Sequence, residues 1–338
     1  MAEQKYICSG SKLTSLANAI REKAKTADKY TIDQMVSAVN NLASVEKIGS
    51  GDWFWGFYAD SGLVTKLTDK ETADRIIDGQ RVYASYNTYI NPSGKYFATC
   101  TDEELAGMVA AHYSGNIKLS DYWSVNDTRK ISLSAMKATG VGESHVAQDV
   151  EIVLMSANPG AYKTVSGNKV PTFVWGLKDG LANGTTGEYG YMNSSNTSSG
   201  GWNKCARRTW CNSVFYNALP AGFRSVVSQV KVVTADGTLS STATSNDYCF
   251  LAAEKEVFGS NTYADSTAEA SLSVFGYYRN GNRIKKCGPN GSAYNWWLRS
   301  PRSGYSGNFC NVNNDGSANN WNASNTNLLA PCGYLPRD

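Results

Sequence analysis

The chain has 338 residues, of which 41% are hydrophobic and 18% charged, and its formal net charge is +3. The charged share falls short of the usual quarter, and neutral polar residues fill the gap: 30 Asn and 37 Ser stand beside 31 Gly, 9 Trp and 20 Tyr. That mix is too aromatic for a disordered chain, too polar for a membrane-spanning one and too nearly neutral for a nucleic-acid partner, and two histidines, His112 and His145, leave little for a His-metal site or a Ser-His-Asp triad.

The length predicts two or three domains. Met1 to Gln4 is polar and Tyr6-Ile7-Cys8 is too short for the apolar core of a signal peptide, so a chain made in a cytoplasm, or exported by a route without a cleavable signal, is expected. Residues 11–42 read as two short helices. Leu13, Leu16, Ala17, Ile20 and Ala24 recur at helical spacing, and Thr31 with Gln34 has capping-box spacing ahead of Met35, Val36, Val39 and Leu42. Each is too short to stand alone, which makes 1–45 an attachment or oligomerisation segment. Residues 46–100 form a small β-rich region, with strands expected at 52–58 and 81–86. A helix with an acidic first turn opens at Thr101 and runs to about Tyr113.

From there to the C-terminus the pattern is an α+β domain, 101–338, with few helices and long loops. Strands are expected at 129–133, 150–155, 172–177 and 226–234, a helix over 207–219 stopping at Pro220, and a polar loop over 189–201. The eight cysteines are Cys8, Cys100, Cys205, Cys211, Cys249, Cys287, Cys310 and Cys332. They contain no CxxC pair, and buried free thiols are expected.

The last fifty residues carry the strongest signal. Between 288 and 335 the charged residues are Arg299, Arg302 and Asp315, and nine of the asparagines fall between Asn308 and Asn327. Asn295-Trp296-Trp297-Leu298-Arg299-Ser300-Pro301 reads as scaffold, since adjacent Trp on a strand point to opposite faces; the alternative is a ligand stacked on Trp297 and Arg299. Phe309 to Asn313 alternates, with Cys310 and Val312 facing in and Asn311 and Asn313 facing out. Asn314-Asp315-Gly316 is a hairpin signal, because these residues tolerate positive φ. Three readings of the hairpin compete. It is a solvated Asn-rich turn, a calcium loop, or a ligand-facing surface of amide groups and rigid rings. Asn311, Asn313, Asp315 and Gly316, with Asn322 twelfth, match a calcium loop loosely, but one carboxylate and no terminal Glu would bind poorly.

The segment from Trp296 to Pro301, followed by Arg302-Ser303-Gly304, Phe309-Cys310, Asp315-Gly316-Ser317-Ala318 and Ala330-Pro331, resembles a family of phage and gut-bacterial proteins. Many of its members are C-type-lectin-fold variable proteins of diversity-generating retroelements. Gly200 to Cys211, Ser120 to Val125 and Glu254 to Gly259 are similar to the same family, so the resemblance covers roughly 100–338. The segment from Leu13 to Leu42 resembles the start of phage tail and tail-fibre proteins. Together they imply a C-type lectin-like domain behind a short helical segment, and a phage tail protein that contacts a bacterial cell-surface receptor, protein or glycan. They imply a place in the virion tail beside other tail proteins, and by analogy a homotrimer. Because such retroelements mutate adenines, Asn codons are their natural targets, and the family pattern puts the variable positions at Tyr305, Asn308, Asn311, Asn313, Asn314, Asn320, Trp321, Asn322, Asn325 and Asn327, with Asn319 fixed. Trp296, Leu298, Cys310 and Val312 are expected as framework. No catalytic residue, metal or cofactor is implied, and calcium-dependent sugar binding is not, because the acidic ligand cluster of true lectins is absent. The alternatives are a structural tail or baseplate subunit, a formylglycine-generating-like enzyme using Cys205 and Cys211, and a cell-wall enzyme using Glu143, Asp149 and His145.

Overall fold

A computed structural model describes residues 53–59, 67–77, 80, 83–87, 94–113, 117–137, 144–157, 162–165, 172–182, 189–237 and 241–335. The two helices expected between 11 and 42, together with Cys8 and Glu143, lie outside the described residues. The chain divides between Gly94 and Lys95 into two compact units.

In the first unit the two stretches rich in β-formers pair. β1 (Trp53–Tyr58) runs antiparallel to β2 (Tyr83–Asn87), with a register shift between Phe54 and Gly56. A helix, Asp69–Ile77, lies between them in sequence. Thr68 and Glu71 cap it reciprocally: the Thr68 N–H donates to Glu71 Oε2 (2.7 Å) and the Glu71 N–H to Thr68 Oγ1 (3.2 Å).

The second unit opens on the helix Asp102–Tyr113, which Thr101 and Glu104 cap in the same way. Three of the expected strands follow as β3 (Thr128–Leu133), β4 (Gln148–Ala157) and β5 (Phe173–Leu177). The helix expected over 207–219 starts as Ala206–Trp210, widens into a π-turn over Cys211–Phe215 and closes with Tyr216–Ala218 ahead of Pro220. The strand expected at 226–234 forms only from Val230. Pro220 opens a second helical turn, Ala221–Ser225, which leaves Val226 as its cap and buries Val226 and Val227 outside any sheet.

β6 (Val230–Ala235) and β7 (Thr242–Asp247) make a hairpin, and β8 (Cys249–Phe250) follows directly. β9 (Lys285–Lys286) pairs with β10 (Ala293–Tyr294). β11 (Trp296–Pro301), β12 (Asn308–Val312) and β13 (Ala318–Asn322) form a three-stranded sheet, and β14 (Cys332–Leu335) ends the described chain. The main sheet has the order β3-β4-β5-β14-β8, so the last strand is inserted between β5 and β8, antiparallel to both. Small antiparallel sheets with short helices make this an α+β unit.

The core is aromatic. Trp123, Trp175, Trp202, Trp210, Trp296 and Trp297 are all buried. Charged groups inside it are hydrogen-bonded, as the cost of burying them requires. Asp247, fully buried, accepts from Trp202 Nε1 (2.8 Å), Ser245 Oγ (2.7 Å) and Arg208 Nε (2.6 Å). Arg299 donates to Glu256 (2.6 Å) and to the Leu251 carbonyl (2.9 Å), and the Tyr162 hydroxyl joins the same cluster by donating to Glu256. Lys285 is buried without an ion pair among the described residues, and Asp179 is the carboxylate whose field reaches it. Its Nζ donates to the carbonyls of Leu177 (2.6 Å) and Lys178 (2.9 Å), and burial pulls its pKa down to about 7.

Candidate functional site

The three-stranded sheet carries the Asn-rich surface. Its framework is set by β11, every residue of which is buried. Trp296 pairs with Val312 and Trp297 with Asn311, so the two indoles leave opposite faces. Trp296 Nε1 donates to the Arg283 carbonyl (2.8 Å) and Trp297 Nε1 to the Gly190 carbonyl (2.7 Å). Trp297 and Arg299 are therefore scaffold. Leu298, Cys310 and Val312 are buried with them.

The turn between β12 and β13 is the one the sequence predicts. The Gly316 N–H donates to the Asn313 carbonyl (2.9 Å), the Asn313 N–H to Ser317 (2.9 Å), and Gly316 takes φ +85°. Asp315 Oδ1 accepts from the Ser317 N–H (2.9 Å) and hydroxyl (2.6 Å), which holds its carboxyl below the usual range. One of its two carboxylate oxygens is thus engaged by the turn. Among the described residues no group of three or more His, Cys, Asp or Glu side chains is placed to hold a metal ion.

The ten residues expected on a single outward surface do not share one. Asn308 pairs with Asn322 and Cys310 with Asn320, while Phe309 pairs with Trp321 and Asn311 with Asn319. Directly opposed residues point to the same side, so Asn308, Asn320 and Asn322 occupy one face and Asn311 and Trp321 the other. Asn311 and Asn327 are corrections to the expected outward surface, because both are fully buried. β12 is the central strand of the sheet and is covered on both faces, which is why its alternation does not separate inside from outside. Asn327 is held in by its N–H, which donates to the Gly190 carbonyl (3.0 Å).

The remaining positions reach solvent to different degrees. Tyr305 is 52% exposed, and Asn314, Asn322 and Asn325 are exposed as well. Asn308, Asn313, Asn320 and Trp321 are half-buried. Asn313 Nδ2 donates to Ser317 Oγ (3.0 Å) and its Oδ1 accepts from Asn319 Nδ2 (2.9 Å). Asn319 also accepts from the Asn320 N–H (2.8 Å), so both ends of its amide are spent within the hairpin.

Two residues the composition argument did not single out complete one corner of this surface. Arg302 lies half-buried at the end of β11, its guanidinium 3.4 Å from the centre of the Tyr305 ring and 5.7 Å from that of Tyr263. Its Nη1 donates to Asn320 Oδ1 (3.0 Å), which also accepts from Asn308 Nδ2 (2.8 Å). The chain thus assembles two rings, a guanidinium and two amides in one rigid group. An Arg between Tyr residues at an Asn-rich strand end is the signal that could have marked it.

The cysteines behave as core. All seven among the described residues are free thiols, and all but Cys287 are buried. Cys205 donates its S–H to the Met192 carbonyl (3.0 Å), and burial pushes its pKa up to about 11. A thiol held protonated in this way is a poor nucleophile. His145 is buried too, with Nδ1 3.1 Å from the Ala182 carbonyl. Among the described residues no helix is long and apolar enough to cross a membrane.

No curated protein and no solved structure matches the chain. Residues 178–336, just under half of it, match a family model described as a domain of unknown function, DUF6273, and the matched segment contains the whole three-stranded sheet and its Arg302–Tyr305 corner.

Proposed function

We propose that this chain is a non-enzymatic receptor-binding protein of a phage tail, and that it contacts a bacterial surface receptor through the corner and hairpin around Tyr305, Asn308, Asn320 and Asn322. The observation that carries the reading is a contrast within one small sheet. Trp296, Trp297, Leu298, Cys310 and Val312 are buried, while the side chains left at the edge and turn are chiefly amides, with a half-buried Trp321 and a half-exposed Tyr305. Rigid strands presenting polar and aromatic groups are what a recognition surface needs, since little entropy is lost on binding.

The insertion of β14 beside β5, with the three-stranded sheet lying between β8 and β14 in the chain, supports a C-type lectin-like arrangement. The resemblance of the N-terminal segment to tail proteins supports attachment to other tail proteins and assembly as a homotrimer, to be checked by mass measurement in solution. Retroelement diversification is read from the neighbouring DNA: a reverse-transcriptase gene and a template repeat matching the codons for 295–327.

The decisive experiment is a triple substitution, Tyr305→Ala with Asn322→Ala and Asn325→Ala, in the full chain. Adsorption to bacteria that bind the wild-type chain is expected to be lost with an unchanged melting temperature. Undiminished adsorption would sink the reading, and an unfolded product would assign these side chains to structure.

A further inference from the structure

Among the described residues Arg302 is a cation without a carboxylate partner. Its guanidinium makes one hydrogen bond, to Asn320, and stacks against Tyr305 and Tyr263, and no described carboxylate pairs with it. The described acidic groups in this part of the chain are Asp265, whose Oδ1 accepts from the Thr267 (2.9 Å) and Ala268 (3.0 Å) N–H groups, and Glu254 and Glu269, whose field reaches the neighbouring Cys310 thiol together with that of Arg302. Both glutamates are buried and engaged. Glu254 accepts from the N–H groups of Tyr263 (3.0 Å) and Ala264 (2.7 Å), and Glu269 from Ser300 Oγ and Asn261 Nδ2 (2.7 Å). Burial pushes both carboxyls upward, away from the charged form that would balance Arg302.

The stacking decides what the cation can do. With a ring against its flat face, the guanidinium presents its edge, where N–H groups diverge in the fork that fits a two-oxygen anion. The hydrogen bond it donates to Asn320 Oδ1 fixes that edge in place. Around it, Asn320 Nδ2 and Asn308 Oδ1 have no partner among the described residues, while the opposite ends of those amides bond to each other. Asn322, exposed, adds a complete amide on the same face. Adjacent donors and acceptors of this kind match the neighbouring hydroxyls of a sugar. Tyr305 adds an exposed ring against which the C–H face of a sugar can lie.

We infer that the Arg302–Tyr305 corner is an anion-binding subsite that takes an acidic glycan, a sugar bearing a carboxylate or a phosphate, with Arg302 gripping the anion and Asn308, Asn320 and Asn322 reading the hydroxyls. This rests on the reading of the surface as a receptor contact and names the chemistry of the receptor. A polar corner with one open ring favours a polyhydroxylated ligand over an acidic peptide, whose apolar side chains would need a pocket.

The test is titration calorimetry of the full chain against four probes: uronic-acid oligosaccharides, phosphorylated oligosaccharides, their neutral counterparts and a polyglutamate peptide. One of the two acidic sugars is expected to bind at least about ten-fold more tightly than its neutral counterpart, and which one it is identifies the anion. Arg302→Gln is expected to remove that preference, Arg302→Lys to keep part of it, and added salt to weaken it, each at a melting temperature close to wild type. Equal binding of neutral sugars, tighter binding of polyglutamate, no binding of any acidic sugar, or wild-type affinity in a folded Arg302→Gln chain would overturn the inference. The underlying reading fails separately: if Arg302→Gln leaves cell adsorption intact while the triple substitution abolishes it, the contact surface stands and only its anion preference falls.

Discussion

Asn311 sits in register opposite Trp297 on the central strand of the three-stranded sheet, fully buried, and neither end of its side-chain amide meets a protein partner. Asn327 is tied to the same indole through one acceptor: its N–H and Trp297 Nε1 share the Gly190 carbonyl, and its own side-chain amide is likewise unpartnered and buried. A diversifying mechanism that acts on Asn codons would therefore meet two kinds of site in this hairpin. Changes at Asn311 and Asn327 must fit a closed interior, whereas changes at Asn322 and Asn325 meet solvent.

That contrast is measurable as stability. Asn311→Asp places a charge without a partner in the core and is expected to lower unfolding free energy by about 3 kcal/mol or more. Asn322→Asp, at an exposed position, should stay within about 0.5 kcal/mol of wild type. Denaturant unfolding of the two variants gives the comparison directly, and equal effects would contradict the burial of Asn311.

Glu256 and Arg299 form a pair with no exposure on either side. Removing one partner leaves the other charged in a low-dielectric interior, so Glu256→Gln is expected to cost about 3–5 kcal/mol. The double variant Glu256→Gln with Arg299→Met should cost less than the sum of the two single changes, because the stranded charge is gone. A complete mutant cycle followed by chemical denaturation supplies the coupling energy.

Lys285 gives the stability a pH dependence of defined sign. Its folded pKa is about 7, below the roughly 10.4 of an unfolded lysine, so between these values the unfolded chain binds more protons. Stability should therefore rise as pH increases above about 7. The buried thiols and tyrosines act oppositely. Burial raises the pKa of Cys249, Cys310, Cys332, Tyr162 and Tyr334, so these groups lose stability once their unfolded counterparts ionise, above roughly pH 8.5 for thiols. A maximum near pH 8 is expected. Lys285→Met should flatten the rising limb while lowering overall stability by about 1–3 kcal/mol, since the carbonyls of Leu177 and Lys178 lose their donor. Unfolding curves at half-unit pH steps check both.

Thiol accessibility gives a further check of the core. In a Cys8→Ser background, a thiol reagent added to the native chain is expected to modify Cys287, and the six buried cysteines only after denaturation. Rapid native modification of Cys205 or Cys211 would show that the segment around Trp202 and Trp210 is open.

Local patterns made most of the second unit legible. β3, β4 and β5 follow from runs of β-formers, the helix Asp102–Tyr113 from its Thr101–Glu104 cap, and the hairpin turn from Asn314-Asp315-Gly316. Each rests on interactions between residues close in sequence. The strand expected at 226–234 was misplaced at its start because Pro220 nucleates a helical turn whose cap is Val226, and a run of β-branched residues does not show where such a turn ends.

For the site, the sequence by itself determined which residue types gather near the C-terminus: few charges, many amides, and Trp-rich segments that read as framework. It also predicted that Trp296 and Trp297 leave opposite faces, since that follows from strand geometry alone. The tertiary structure decided which amides reach solvent. Alternation along β12 separates in from out only when one face of a sheet is open, and here both are covered, so Asn311 is as buried as Cys310 beside it. It also brought Tyr263 against Arg302, whose guanidinium has no carboxylate partner among the described residues, a relation between residues 39 positions apart that only the packing of β11 against the segment following the helix Glu254–Phe258 can set.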